Sequence, residues 1–471
     1  MMRLAVAPPC LAMMVGCGGG SSGGSPTPTA TVPPTITSAA AATTPENASG
    51  TVYTATALEP QGAAISWDIA AGADAARFAI AANGNLSFRT PPNFDLPADG
   101  NGDNIYEVAI RANSANGSVT QSLQIAVTND REGIRVTRIA TGLTDPVGIA
   151  STYDGLRFVI AERAGRVVEI DGATGVISEM PNVAANIRAG EILDILYASG
   201  GSSYSDGLLL LTHSAVDGLL LQGYSPTSGR KMSRQLAAPW SSRVAGSLFT
   251  GNGTPGEIFA AIGDPGGNLA QTDGSGYGKL FSIIPGDPYA GASVPSGPVF
   301  HVRVVGDGIR APSGGEIAFN EVLLVDQGAA QHEISRFVAA ARPLDFGWPS
   351  YEGTQAMVAS PPPQVVGPLL GYAFGTGPRK GTGIIAGTGY AGAIPGIVGH
   401  YVFGDRNGSI FSIRYDRMID GAYHGADEIE LRTADFAPNA GTINSPVAFA
   451  IAFQTIFILD ADGEVFRVDA S

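Results

Sequence analysis

Cysteine is almost absent from this sequence. Only Cys10 and Cys17 occur among 471 residues, so the chain after residue 17 has no thiol for a disulfide, a zinc-thiolate site or a nucleophile. Charged side chains are also scarce, at 15% of the residues, and the net charge is −15. This balance argues against a nucleic-acid partner, which needs clustered lysine and arginine. No run of about 18 apolar residues follows the leader, so no helix is expected to span a membrane.

Glycine and proline are plentiful, with 64 and 32 residues. Together with a hydrophobic share of 44%, they predict many short strands joined by tight turns, that is, an all-β protein. A chain of 471 residues is long enough for two or three domains.

The N-terminal segment has the pattern of a secretion leader. Arg3 precedes a mostly apolar stretch that ends in Val15-Gly16-Cys17, which resembles the lipobox of bacterial lipoproteins. The resemblance implies a signal peptide over residues 1–17, lipidation of Cys17 and a lipid-anchored location in the cell envelope. Residues 18–35 read as a flexible Gly/Ser/Pro/Thr tether. An ordinary cleaved leader or a mistaken start codon is the alternative.

Residues 36–132 alternate apolar and polar side chains in six or seven short runs, which predicts a β-sandwich. The stretch resembles a cadherin-type repeat through "PENASG" (45–50), "NGNLSF" (83–88) and "NFDLPADGNGDNIYEVAIRA" (93–112). Calcium prefers carboxylate ligands, and the resemblance implies such ligands at Glu46, Glu59, Asp95, Asp99 and Asp103. A solvated acidic loop without calcium is the alternative.

A second pattern covers residues 134–471, in which strand, turn and second strand recur six times. Examples are "FVIAERAGRVVEIDG", "EIFAAIGDPGG" and "HYVFGDRNGSIFSIRY". Antiparallel repeats of this kind predict a six-bladed β-propeller after the sandwich.

Five motifs in this region resemble, in order, those of the soluble glucose and sorbosone dehydrogenases that depend on pyrroloquinoline quinone (PQQ). They are "GLTDPVGIASTYDGLRFVIAERAGRVVEID" (142–171), "GDPGGNLAQTDGSGYGKLFSI" (263–283), "VGDGIRAPSG" (305–314), "LDFGWPSYEG" (344–353) and "AGTGYAGAIPGIVGHYVFGDRNGSIFSI" (386–413). The resemblance implies an oxidoreductase in which PQQ accepts hydride from an aldose, a histidine takes the hydroxyl proton and calcium polarises the quinone.

The resemblance also implies where the site residues lie. Basic side chains facing the carboxylates of PQQ are expected at Arg310, Lys279, Arg379 and Lys380, and Asp264 is a candidate calcium ligand. The family's catalytic histidine aligns with Arg243 or Val244, and an arginine stays protonated and is no base. His213 and His301 are two candidate substitutes for that base.

Three functions stay open at this point. One is a cell-envelope sugar dehydrogenase with an eroded active site. The second is a calcium-dependent adhesion or glycan-binding surface protein without catalysis, whose partners are a glycan or a neighbouring surface protein. The third is a structural surface lipoprotein with no small ligand.

Overall fold

The structure, a computed structural model, describes residues 30–188, 190–198, 207–225, 231–250, 257–266, 268–285, 300–319, 321–338, 344–361, 363 and 366–471. The predicted leader and Cys17 lie outside these residues. The chain divides into two compact units, of which the first holds the residues up to Ala42 with Gly50–Arg89 and Glu107–Gln124. The second holds Thr43–Ser49, Thr90–Tyr106 and Ile125–Ser471. Within the described residues no helix has the length and hydropathy needed to cross a bilayer.

The N-terminal part of the chain is built from antiparallel strands with alternating burial. One sheet has the strand order Thr51–Thr54, Asn85–Phe88, Phe78–Ile80. Another sheet has the order Ala41–Pro45, Gly117–Thr128, Ile105–Ser114, Ser66–Ala71, and Thr35–Ile36 pairs with Ala57–Leu58. Trp67, Phe78, Leu86 and Ile110 are buried, as expected where strands turn every second side chain toward a core.

Within the residues that the structure describes, the second unit contains six sheets of four or five strands, numbered here in chain order. Sheet 1 has Pro146–Ser151, Arg157–Glu162, Val167–Asp171 and Ile177–Glu179; sheet 2 has Glu191–Ala198, Gly207–Ser214, Gly218–Tyr224 and Lys231–Ala237. Sheet 3 has Gly246–Thr250, Ile258–Ile262, Lys279–Pro285, Phe300–Asp307 and Leu344–Asp345. Sheet 4 has Pro312–Ala318, Glu321–Asp326, Gln331–Phe337 and Pro368–Ala373. Sheet 5 has Ile384–Tyr390, His400–Asp405, Ile410–Arg414 and Glu430–Leu431; sheet 6 has Pro446–Ala452, Thr455–Asp460, Val465–Ala470 and Ile134–Ala140.

Short helical turns and one small hairpin occupy the loops. The helical turns are Ala75–Arg77, Arg131–Gly133, Pro181–Ala184, Tyr415–Met418, Ala426–Glu428 and Arg432–Ala434. The hairpin pairs Tyr351–Glu352 with Gln355–Ala356.

The six sheets form a closed ring. The first strand of each sheet contacts the first strand of the next, and that of sheet 6 contacts that of sheet 1. Sheet 6 is completed from both ends of the region, because Ile134–Ala140 pairs antiparallel with Val465–Ala470, with Ile134 opposite Ala470. The expectation of an all-β, propeller-like fold is therefore confirmed.

Apolar residues between consecutive sheets hold the ring together. In the described residues, six buried clusters lie one between each pair of neighbouring sheets, including sheets 6 and 1. The second strand of each sheet is buried on both faces. Because both faces are buried, these strands are continuous apolar runs, such as Phe158 to Ala161 and Ile258 to Ile262.

Acidic residues that end the second strands fix the loops before the first strands. Asp326 accepts the backbone N–H groups of Arg310 and Ala311 at 2.8 and 2.6 Å. Asp405 is fully buried and accepts N–H groups from Thr382 and Gly383 at 2.8 and 3.2 Å. Each acid thereby satisfies buried backbone donors that would otherwise lack a partner.

Candidate functional site: a central cavity with four arginines

A cavity of about 970 Å³ lies on the axis of the ring. The first strands of all six sheets contribute to its wall, within residues 146–151, 193–197, 246–250, 312–316, 385–388 and 447–451. Because each sheet supplies a strand and the loop beside it, side chains far apart in sequence meet in this cavity.

Four guanidinium groups line the cavity. Arg163 follows the second strand of sheet 1, Arg243 precedes sheet 3, Arg310 precedes sheet 4 and Arg406 follows the second strand of sheet 5. Guanidinium groups are charged at any physiological pH and bind carboxylate or phosphate oxygens in pairs.

Arg310 is held firmly at the cavity wall. Its Nη1 donates to the carbonyl of Gln327 at 2.8 Å, and its Nε lies 3.6 Å from Glu352 Oε1. The guanidinium carbon lies 5.2 Å from the ring centroid of Trp348, a distance typical of a cation–π contact. Arg310 is therefore pre-positioned to meet an anion.

Arg163 and Arg243 share one carboxylate. Arg163 Nη1 and Arg243 Nε lie 3.8 and 3.4 Å from Glu191 Oε2, and Arg163 Nε also donates to Asp145 at 2.9 Å. The other oxygen of Glu191 lies 3.6 Å from His213 Nδ1. Glu191 thus sets the positions of two of the four arginines.

Arg406 differs from the other three arginines, because within the described part of the chain it makes no ion pair. Burial and the positive charges of Arg163 and Arg243 lower the pKa of Arg406. The negative charge of Asp405 raises it, but less than the other effects lower it. The site thus places Arg406 near two like charges, and an anionic ligand would relieve their repulsion.

Burial raises the pKa of two carboxyl groups of the cavity wall. The pKa of Asp194 is raised to about 7 and that of Glu316 to about 8, against the opposing effect of their hydrogen bonds. Asp194 accepts the N–H of Leu248 in sheet 3, and Glu316 accepts the hydroxyl of Thr388 in sheet 5. Both acids thus link neighbouring sheets, and at neutral pH they carry less negative charge than exposed carboxylates would.

The raised pKa of Asp194 predicts a pH-dependent contribution to stability. The folded state keeps the proton up to about pH 7, whereas the unfolded chain loses it near pH 3.8, so stability falls as the pH rises between these values. The Asp194→Asn variant should lack this slope when the free energy of unfolding is measured by denaturant titration across that range. Parallel pH curves for both proteins would contradict the assignment.

Asp264, the predicted calcium ligand, lies in the cavity wall. Its Oδ2 accepts the N–H groups of Leu269 and Ala270 at 3.0 and 3.1 Å and lies 3.3 Å from Trp348 Nε1. Unlike Asp326 and Asp405, it therefore organises its own loop and the indole beside Arg310. Calcium binding at Asp264 stays a prediction.

The cavity contains Arg310 and Arg243 from the predicted site residues, and Val244 beside Arg243. The remaining three predicted cofactor cations are not among its lining residues. Lys279 is buried and donates to the carbonyl of Ala270 at 2.6 Å, Arg379 donates to the carbonyls of Asp95 and Ile429, and Lys380 is exposed.

None of the five histidines is among the residues that line the cavity. His213 is buried behind Glu191, and His301 is exposed on the fourth strand of sheet 3. His332 is fully buried beside Tyr372, His400 contacts Glu430, and His424 lies between Asp420 and Glu428. No imidazole is therefore placed to take a proton from a ligand in the cavity.

The acids predicted to bind calcium near the N-terminus are not gathered in one place. Glu46 accepts the N–H groups of Phe94 and Asp130, and Asp99 accepts those of Asp103 and Asn104. Glu59 belongs to the first unit, and its Oε1 accepts a hydrogen bond from Asn116 Nδ2 at 2.6 Å. Asp95 lies in a larger acidic cluster, and Glu46 lies beside that cluster: burial raises the pKa of Glu46, and the negative charges of Glu132 and Asp435 raise it further.

That cluster surrounds the buried guanidinium of Arg432, which is 2% exposed. Its Nη1 contacts Asp95 Oδ2 at 2.6 Å, Asp435 Oδ2 at 3.1 Å and the carboxylate of Glu132, while Nη2 donates to Glu430 at 2.7 Å. We call these five residues the Arg432 cluster. Burial opposes the charge on Arg432, but its acidic neighbours raise its pKa, led by Glu430 and Asp95.

Oxygen atoms of Asp95, Glu132 and Asp435 lie within 4.8 Å of one another, as metal ligands do. Arg432 Nη1 contacts a carboxylate oxygen of all three acids, but one guanidinium charge offsets only part of their negative charge. Asp95 Oδ1 and Asp435 Oδ1 are buried and have no hydrogen-bond partner in the described residues, so calcium at Asp95 stays a prediction. Calcium at Asp99 and Asp103 stays a prediction.

No protein-family model and no curated protein matches this chain. Among solved structures it is similar to the PQQ-bound aldose sugar dehydrogenase of Streptomyces coelicolor, with a TM-score of 0.53, 16% identity and coverage of 72% of this chain and 99% of that one. The soluble aldose sugar dehydrogenase of Escherichia coli, in its apo form, gives a TM-score of 0.50 and 15% identity over 72% of this chain and all of that chain. A glucose dehydrogenase gives a TM-score of 0.51 and 17% identity, with coverage of 71% of this chain and 99% of that one. At these identities the likeness establishes the fold.

Proposed function

We propose that the second unit is a six-bladed propeller whose central cavity binds an anionic quinone, with PQQ as the candidate, and that it lacks the imidazole base of a sugar dehydrogenase. The observation that carries this proposal is the set of side chains in the cavity: four guanidinium groups and none of the five histidines. Solved structures with this fold include a PQQ-bound dehydrogenase.

The residues present fit a polycarboxylate. Arg310 is held by Gln327 and Glu352 against the Trp348 ring, so its guanidinium can meet a carboxylate without first losing much side-chain freedom. The half-buried indole of Trp348 also lines the cavity, and it offers an apolar ring that an aromatic ligand could contact. When bound, PQQ would supply the acceptor for a hydride from a sugar carbon.

The same residues provide no efficient base to remove a proton from a sugar hydroxyl. The family's histidine aligns with Arg243 or Val244, and neither can accept a proton, because an arginine remains protonated and a valine has no basic group. Asp194 has a pKa suited to a general base, but both of its oxygens accept backbone N–H groups, from Ile195 and Leu248. Binding without rapid turnover is therefore the function that the geometry supports best.

We further propose that the protein is anchored to the bacterial cell envelope through Cys17 and that residues 36–132 form a cadherin-like sandwich. The leader pattern ending at Cys17 and the motifs quoted above support these two proposals. In this arrangement the propeller would bind its ligand outside the cytoplasm.

We expect the purified protein to retain PQQ absorbance after desalting and to reduce an electron-accepting dye only slowly with aldoses. Replacing Arg310 by alanine should weaken PQQ binding by roughly 10- to 100-fold, since hydrogen bonds to charged groups contribute about 1.5–3 kcal/mol. Equilibrium dialysis followed by absorbance measures both proteins.

The matched control is Arg414→Ala, which removes an exposed arginine paired with Asp416 and should leave PQQ binding unchanged. Rapid aldose oxidation by the PQQ-loaded protein would contradict the proposal that the cavity lacks a catalytic base. Failure to retain PQQ would overturn the proposal and favour the adhesion or glycan-binding function.

A further inference from the structure

The four arginines of the cavity do not form one uniform group. Arg310 stands apart, because its partners are Glu352, Gln327 and Trp348. Arg163 and Arg243 share Glu191, and burial together with the positive charges of these two residues lowers the pKa of Arg406. We call Arg163, Arg243 and Arg406 the arginine wall.

The arginine wall has unmet capacity for an anion. Glu191 and Asp145 serve Arg163 and Arg243, but Arg406 pairs with neither acid. The adjacent Asp405 does not supply the missing partner, since its oxygens accept the N–H groups of Thr382, Gly383 and Asn407 and the hydroxyl of Tyr372. A guanidinium without an ion-pair partner would bind a ligand carboxylate through strong, charge-assisted hydrogen bonds.

A second, independent observation concerns hydroxyl groups of the cavity wall. The Oγ atoms of Ser247 and Ser313 are buried and have no hydrogen-bond partner in the described structure, although both residues line the cavity. Buried hydroxyl groups nearly always have a partner. Ser247 and Ser313 therefore have hydrogen-bonding capacity that the hydroxyl groups of a ligand could use.

We propose that the arginine wall binds the carboxylate of a sugar acid such as a uronate, and that Ser247 and Ser313 meet its hydroxyl groups. The inference rests on the proposed function in so far as PQQ occupies the Arg310 side of the cavity. It names the ligand class for the remaining space: an acidic sugar in preference to a neutral aldose.

The test is isothermal titration of the PQQ-loaded full-length protein with D-glucuronate and, separately, with D-glucose. We expect glucuronate to bind at least about tenfold more tightly, the size of one charge-assisted hydrogen bond, and the preference to shrink with added salt. Arg243→Gln and Arg406→Gln should each bring the two affinities close to equal. Arg406→Lys, which keeps the positive charge, should retain part of the preference.

Arg414→Gln is the control and should keep the full preference for glucuronate. Equal affinities in the wild type would overturn the inference. A preference that survives both glutamine variants but is lost in Arg310→Gln would overturn it as well, because the carboxylate would then bind on the other side of the cavity.

Failure of the proposed function can be told apart from failure of this inference. If the protein does not retain PQQ, the same titrations are done on the ligand-free protein. A glucuronate preference that depends on Arg243 and Arg406 would then uphold the arginine wall while the quinone proposal falls. Loss of the preference with PQQ still bound would have the opposite meaning.

Discussion

Replacing Arg432 by methionine is expected to lower the free energy of unfolding by about 3–5 kcal/mol, the cost typical of removing one partner from a buried ion pair. Methionine keeps the length of the side chain but leaves Asp95, Glu132, Glu430 and Asp435 without their shared cation. Denaturant-induced unfolding, monitored by tryptophan fluorescence, measures the change.

The control for this prediction is Arg414→Met, which breaks an exposed pair with Asp416 and should cost less than about 1 kcal/mol. A loss at Arg432 no larger than that of the control would show that the acids of the Arg432 cluster are neutralised by other means. Bound calcium would be one such means, and adding a chelator to the variant would then reveal it as a further loss.

The Asp405→Ala variant is expected to lose about 4 kcal/mol of unfolding free energy. The carboxylate is fully buried and accepts N–H groups from Thr382, Gly383 and Asn407 as well as the Tyr372 hydroxyl. An unsatisfied buried donor costs about 1–3 kcal/mol, and water can reach only some of the four. Thermal and denaturant unfolding both report the loss.

Asp405→Asn keeps the shape and one acceptor oxygen, so its loss should fall between those of wild type and the alanine variant. Asp416→Ala, at an exposed position, serves as the control. Equal stability of Asp405→Ala and wild type would mean that the loop around Thr382 and Gly383 finds other acceptors. The neighbouring Gly381 supports the tight arrangement, since a Cβ atom there would lie 1.8 Å from Asp405 Oδ2.

The fold class could be predicted from local patterns, because each sheet is built from neighbouring strands. Runs such as "FVIAERAGRVVEIDG" and "IFILDADGEVFRVDA" carry apolar strands and turn residues side by side in sequence. They correspond to the strands Arg157–Glu162 with Val167–Asp171 and Thr455–Asp460 with Val465–Ala470. The pairing of Ile134–Ala140 with the last strand could not be predicted in this way, because it joins distant segments.

The composition of the cavity was harder to predict. Arg310 was predicted because it stands in the quoted motif at 305–314, and Arg243 because it is one of two residues that align with the family's catalytic histidine. Arg163 and Arg406 lie in motifs that were quoted as well, but nothing local distinguishes an arginine that points to the axis from one on the surface. Only the closure of the ring brings these loops together, and the "GDRNG" turn after a buried strand was the signal available for Arg406.

The Arg432 cluster illustrates a different limit. Glu46, Asp95 and Asp99 follow a calcium-binding pattern in sequence, yet the cation beside Asp95 is a side chain more than three hundred residues later in the chain. A pattern of acids reports negative charge and says nothing of what neutralises it.

The shared sheet 6 has a consequence for biosynthesis. Because its strands come from both ends of the region, Ile134–Ala140 lacks its antiparallel partner until Val465–Ala470 has been synthesised. A fragment without Val465–Ala470 should therefore expose an unpaired strand edge and be degraded by proteases faster than the full chain.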